Sequence, residues 1–159
     1  MVDYARQGIA DLDPNSSFPF GENKCIVKEI GVSDGTIKAG NVVMYTSITD
    51  FTVIQTNGAG SDTVSPIGIA VKDPDIPFGT AIPANRKLRV CIRGPVLATV
   101  THGATVNLRG GEALNCAAAG VLTGPATAAG YKCATLLDKR AADSVTAELH
   151  IVYFDGISP

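Results

Sequence analysis

Two histidines, four cysteines and one short acidic run are the residues of this chain whose types suit chemistry. Nucleophilic catalysis needs a histidine that the fold can set beside a serine or cysteine. His102 sits in Thr-His-Gly at an expected turn, and His150 lies within an alternating apolar stretch. Neither belongs to a Gly-x-Ser-x-Gly elbow. No catalytic residue is expected, and the chain does not read as an enzyme. Asp11, Asp13, Asn15 and Glu22 fall at positions 1, 3, 5 and 12 of a calcium loop. Position 6 is Ser16 instead of glycine, Pro14 and Pro19 intrude, and no helical pattern flanks the run. Such a loop works only between two helices, so no metal is expected. Asn57-Gly58-Ala59-Gly60 has the glycines of a phosphate loop, but no Gly-Lys-Ser/Thr follows it. It reads as a turn, and no cofactor is expected.

Cys25, Cys91, Cys116 and Cys133 contain no Cys-x-x-Cys pair. They read as free, small core residues of a protein made in a reducing cytoplasm. Arg86, Lys87, Arg89 and Arg93 form the basic cluster. One reading is a solvated strand face that protects a sheet edge. The sharper one is a docking stripe for an acidic partner, in which Arg89 and Arg93 share a face.

The net charge of −2 and the lack of a basic block give no footprint for nucleic acid. No apolar run reaches the 18 or so residues of a membrane helix, and the first residues lack a secretory pattern. Charged residues are 18% of the chain, below the roughly 25% usual for soluble domains. A weakly charged surface suits a protein that packs beside copies of itself or partners.

The elements that must carry these residues are short strands. Lys87 to Arg93 alternates strictly: Leu88, Val90 and Ile92 on one face, Lys87, Arg89, Cys91 and Arg93 on the other. Lys24–Ile30, Asn41–Thr46, Phe51–Gln55, Pro66–Val71, Val96–Thr101, Thr105–Leu108 and Tyr131–Leu137 read as further strands, separated by glycine and proline turns. The corner at Gly94-Pro95 divides two of them. Gly120, Gly124 and Pro125 argue against a helix in the alanine-rich stretch from Cys116 to Gly130. Val145 to Phe154 is the longest strand, with His150 assigned to its more polar face. Val152 and Phe154 on that face would be wasted on solvent, which places them against a neighbouring protomer or an opposing sheet. No tandem repeat of 20 to 50 residues is visible.

The pattern predicts an all-β domain over 24–159, a compact antiparallel sandwich or small barrel. Residues 1–23 form an irregular N-terminal arm bearing Tyr4, Ile9, Leu12, Phe18 and Phe20. These side chains either lie along a partner or fold back on their own domain.

From about Gly21 to Phe154 the order of segments resembles the cement, or decoration, proteins of tailed-phage capsids. The features are Lys38-Ala39-Gly40-Asn41-Val42-Val43, then Pro66 to Val71, then Arg93-Gly94-Pro95-Val96-Leu97-Ala98. Thr105-Val106-Asn107-Leu108, Tyr131-Lys132-Cys133-Ala134 and a closing strand from Glu148 to Phe154 follow. The resemblance implies a structural virion protein on the outer capsid surface of a bacteriophage, bound to the major capsid protein and often trimeric. It implies no catalytic residue. Candidate capsid or protomer contacts are Tyr4, Ile9, Leu12, Phe18, Phe20, Arg89, Arg93, Val152 and Phe154. The alternative is a receptor- or carbohydrate-binding β module of a virion fibre. The absence of tryptophan and the 6% aromatic content disfavour it.

Overall fold

A computed structural model describes residues 16–32, 35–46, 52–55, 66–102, 108–126, 132–138 and 147–155. The described residues are mostly strand, with two single-turn 3-10 segments at Glu22–Lys24 and Ala118–Gly120. Nine strands occur among them: β1 (Ile26–Val32), β2 (Val42–Tyr45), β3 (Thr52–Gln55), β4 (Pro66–Ala70), β5 (Lys87–His102), β6 (Ala113–Cys116), β7 (Leu122–Gly124), β8 (Lys132–Leu136) and β9 (Glu148–Phe154).

Their pairing closes two rings that share one strand. The ladder runs β1-β3-β2-β4-β5-β7-β6-β8-β9, and β5 pairs additionally with both β1 and β9. The first half of β5 therefore closes a five-stranded barrel with β1 to β4. The second half closes a five-stranded ring with β6 to β9. Closure removes the exposed edges that isolated sheets must protect. Most pairs are antiparallel, but β1–β3 and β5–β7 are parallel. β5 is thus one continuous strand, not the two strands divided at Gly94-Pro95 that the sequence suggests. The corner is a bend within it. Gly94 has φ +122°, and a Cβ there would stand 2.6 Å from the Lys24 carbonyl oxygen.

The two rings repeat one another bond for bond. Gly40 N–H donates to the Ala70 carbonyl and Ala70 N–H to that of Asn41; Gly111 donates to Leu136 and Leu136 to Glu112 in the same way. The β2–β4 and β6–β8 ladders each carry a register shift, at Val43/Met44 and Leu114/Asn115. Val32 pairs with Val53 as Val100 pairs with Leu122, and Ile30 pairs with Leu88 as Ala98 pairs with His150. Even the turn before the second strand is repeated: Lys38 N–H bonds to Asn41 Oδ1, and Arg109 N–H to a Glu112 carboxylate oxygen. This internal duplication lies outside the range of periods that the sequence reading covered. Its period lies beyond the 20 to 50 residues of solenoid arrays, and few matched positions share a residue: Gly40 matches Gly111 and Val32 matches Val100, but Ala70 matches Leu136.

The core follows from this arrangement. Ile30, Val32, Val43, Ala70, Leu88 and Val90 fill the first ring, capped by Ile37, Ile76 and Ile82 from its loops. Val42, Met44, Ile69, Val71 and Cys91 point the other way, into a cluster continuous with Val96, Val100, Leu114, Leu122, Leu136, Val152 and Phe154 of the second ring. β2 and β4 are therefore buried on both faces, which is why they read as unbroken apolar runs.

Two expectations change. Val152 and Phe154 are fully buried in this chain's own second ring, so they are not protomer or capsid contacts. The opposing strands take them, as one of the two readings held. The face of β9 that carries them points inward, and it takes His150 with it; the face expected to be apolar is half-buried at Leu149, Ile151 and Tyr153. The arm boundary also moves. Ser17 is buried, and its Oγ accepts the Lys72 N–H at 2.7 Å while its carbonyl accepts the Leu97 N–H at 2.9 Å. Residues 16–23 thus belong to the β body.

Candidate interaction surface

The Ser17 anchor sets the geometry of the best candidate surface. From it the chain turns through a Gly21 N–H bond to the Phe18 carbonyl, makes one 3-10 turn, and enters β1. This delivers Phe18 and Glu22 to the outer side of β5. Arg89 lies over the Phe18 ring, 5.7 Å from its centroid, and pairs with the Glu22 carboxylate. Glu29 stands opposite Arg89 in the β1–β5 ladder. Lys72 beside it is buried, with Nζ donating to the carbonyls of Asp73 and Pro74. A recess of about 300 Å³ opens between Ser16, Phe18, Glu22, Lys72, Pro74 and Arg89.

The basic cluster divides accordingly. Arg86 is held by Asp73 at 3.2 Å and Asp75 at 3.4 Å, and Arg89 by Glu22. Lys87 and Arg93 are exposed. Arg93 pairs across the ladder with Ile26, which is 55% exposed, and Phe20 is 46% exposed on the segment leading to it. Leu137 is the third large apolar side chain left this open among the described residues. Phe18 and Arg89 are thus brought together, while Phe20 and Arg93 are exposed on adjoining segments. Tyr4, Ile9 and Leu12 lie outside the described residues, as do Asp11, Asp13 and Asn15.

A second concavity of about 650 Å³ has Lys38, Phe78, Thr99, Val121, Glu148 and Leu149 on its walls. Its residues come from five separate segments, so no local sequence signal marks it. Ile26 was equally hidden, because an exposed isoleucine in a strand looks like a core residue until its neighbours are known.

His150 is fastened, not free. Its Nδ1 lies 3.0 and 3.1 Å from the two Asp138 oxygens, and Asp138 Oδ2 also accepts the Ile151 N–H at 3.0 Å. Its Nε2 is 3.7 Å from Glu148 Oε2. The carboxylate ties β9 to the segment that follows β8. His102 is the last residue of β5. Among the described residues no group of three histidine, cysteine or acidic side chains has metal-binding geometry, and no helix is long and apolar enough to cross a membrane.

All four cysteines are free. Cys25 Sγ donates to the Pro95 carbonyl and Cys91 Sγ to that of Arg93, and burial raises both thiols, Cys91 to about 12. Cys116 and Cys133 are in contact: the bond from Cys133 lowers the Cys116 thiol, and the same bond, together with burial, raises Cys133.

No known family model matches this sequence, and no curated protein resembles it at a significant level.

Proposed function

We propose that this protein is a structural decoration protein that binds the outer surface of a tailed-phage capsid and braces its shell. The observation that carries this reading is where the shared motifs fall. Lys38 to Val43 is the turn into β2, Pro66 to Val71 is β4 and its exit, Arg93 to Ala98 is the bend at which β5 passes between rings, and Glu148 to Phe154 is β9. These are the positions that set the framework, so the resemblance concerns the architecture instead of scattered surface residues.

The surface around Phe20, Ile26, Arg89 and Arg93 is the face offered to the major capsid protein. Rings without free edges suit a brace, because load cannot peel an outer strand away. A homotrimer over a local three-fold position would give each protomer an equivalent contact. The fibre-module alternative would use the 650 Å³ concavity, where Phe78 is the aromatic on the wall.

Mixing the purified protein with undecorated shells and imaging them tests the reading. Saturable binding to the outer surface is expected, weakened by Phe20→Ala with Ile26→Ser. Binding that is unchanged in that double variant would remove the assigned face, and no binding to any shell would remove the function.

A further inference from the structure

We infer that the recess beside Ser17 is an anion subsite that takes one carboxylate, from an acidic side chain of a partner protein, on the Lys72 ammonium and the Arg89 guanidinium. The site follows from this chain's own residues, so it stands or fails apart from the capsid reading.

A buried charge is costly unless an opposite charge meets it. Lys72 is 8% exposed. Its Nζ donates to two carbonyls, Asp73 at 3.1 Å and Pro74 at 3.4 Å. Among the described residues no carboxylate pairs with it. An ammonium has three protons to donate, and two carbonyls leave one. The acids next to it in sequence are committed elsewhere, since Asp73 and Asp75 hold Arg86. The duplication of the two rings supplies a comparison. Ala70 matches Leu136, so Lys72, two residues on, matches Asp138. Asp138 binds His150 Nδ1 and accepts the Ile151 N–H. In the second ring the charge at this position has its partner within the chain; in the first ring it has only carbonyls.

The recess is built to hold an anion. Lys72 and Arg89 both line it, with Phe18 and Pro74 as apolar walls. Ser16 and Ser17 line it too. Their Oγ atoms accept the N–H of Phe18 at 3.0 Å and of Lys72 at 2.7 Å, so each hydroxyl keeps a proton to donate. Arg89 is held in place over the Phe18 ring and pairs with Glu22 through one of its nitrogens. A guanidinium has five N–H donors and can serve a second carboxylate. Two cations against the Glu22 carboxylate leave one net positive charge, which a monoanion balances. A phosphate would bring a second negative charge against Glu22. The volume of about 300 Å³ is at the lower end of the roughly 300–1,000 Å³ of ligand pockets, room for a side chain and not for a cofactor.

The test titrates the isotope-labelled protein at pH 7 and constant ionic strength, following backbone amides by NMR. The probes are acetyl-Gly-Asp-Gly-amide and acetyl-Gly-Glu-Gly-amide, with their Asn and Gln counterparts and inorganic phosphate as controls. Saturable shifts at Ser17, Phe18, Lys72 and Arg89 are expected with an acidic peptide and absent with the amide counterparts. Lys72→Met should weaken binding roughly tenfold or more, as the loss of a hydrogen bond to a charged group does. Arg89→Gln should weaken it by a similar factor. Glu22→Gln, which frees Arg89 of its resident carboxylate, should tighten it several-fold. No saturable shift with either acidic peptide would overturn the inference. So would equal shifts with the amide counterparts, tighter binding of phosphate than of the peptides, or no tightening in Glu22→Gln. If Lys72→Met does not fold, the Arg89→Gln and Glu22→Gln titrations decide the matter.

Discussion

Phe154→Ala tests the core role of the inward face of β9. Phe154 is fully buried and is among the largest of the completely enclosed side chains. It pairs with Ala134 on β8 and with Gly94 on β5, so it sits where the second ring closes. Removing a buried phenylalanine down to Cβ costs about 3–5 kcal/mol, the lost transfer energy plus the cavity left behind. For a chain of this size each kcal/mol moves the melting temperature by roughly 2–4 °C, giving a drop of roughly 6–20 °C. Phe154→Leu retains most of the volume and should lose less than half as much. Differential scanning calorimetry at two protein concentrations is the assay. The core account predicts the same drop at both, because the lost contacts lie within one chain. A drop that shrinks on dilution would assign Phe154 to an interface between protomers. A change below about 1 °C would refute the packing itself.

Gly68→Ala should be among the most damaging small substitutions, since its Cβ would stand 2.4 Å from Val90 Cγ1 and 2.5 Å from the Cys91 carbonyl oxygen; a loss of about 1–3 kcal/mol by urea unfolding is expected. Asp138→Ala removes the acceptor of both His150 Nδ1 and the Ile151 N–H, and about 1–3 kcal/mol should go with it in the same assay. Arg89→Ala should leave the urea midpoint nearly unchanged, because partly exposed ion pairs contribute about 0–1 kcal/mol, while lowering affinity for the shell in a sedimentation assay. Raising pH should destabilise the fold through Cys91: its folded value of about 12 lies above the usual 8.5 or so of a free thiol. The protonated thiol's contribution is complete below the unfolded value and lost as pH climbs towards the folded one, so melting temperatures should fall from pH 8 to pH 11 less steeply in Cys91→Ala.

The strand content was legible because alternation and turn residues speak locally. Leu88 and Val90 do face the first ring, and Lys87 and Arg93 do face solvent. Ring closure was not legible, since β1 meets β5 across most of the first barrel and nothing in either strand names the other. The duplication was hidden for a related reason. Backbone bonding conserves Gly40 with Gly111, but the paired core positions exchange Leu88 for His150 and Ala70 for Leu136. The inward turn of His150 was misread because a histidine scores as polar, while Asp138, which makes its burial tolerable, sits in another segment. At the candidate surface, Phe18 and Arg89 could be singled out by type, but only the Ser17 anchor shows why they lie together.

Electron cryo-microscopy of cognate phage shells, imaged with and without the purified protein, tests the central claim most directly. The account predicts added density on the outer surface, three copies around each local three-fold position, with the segment around Phe20 and Ile26 against the capsid subunit. Shells that remain bare at saturating protein concentration would contradict it.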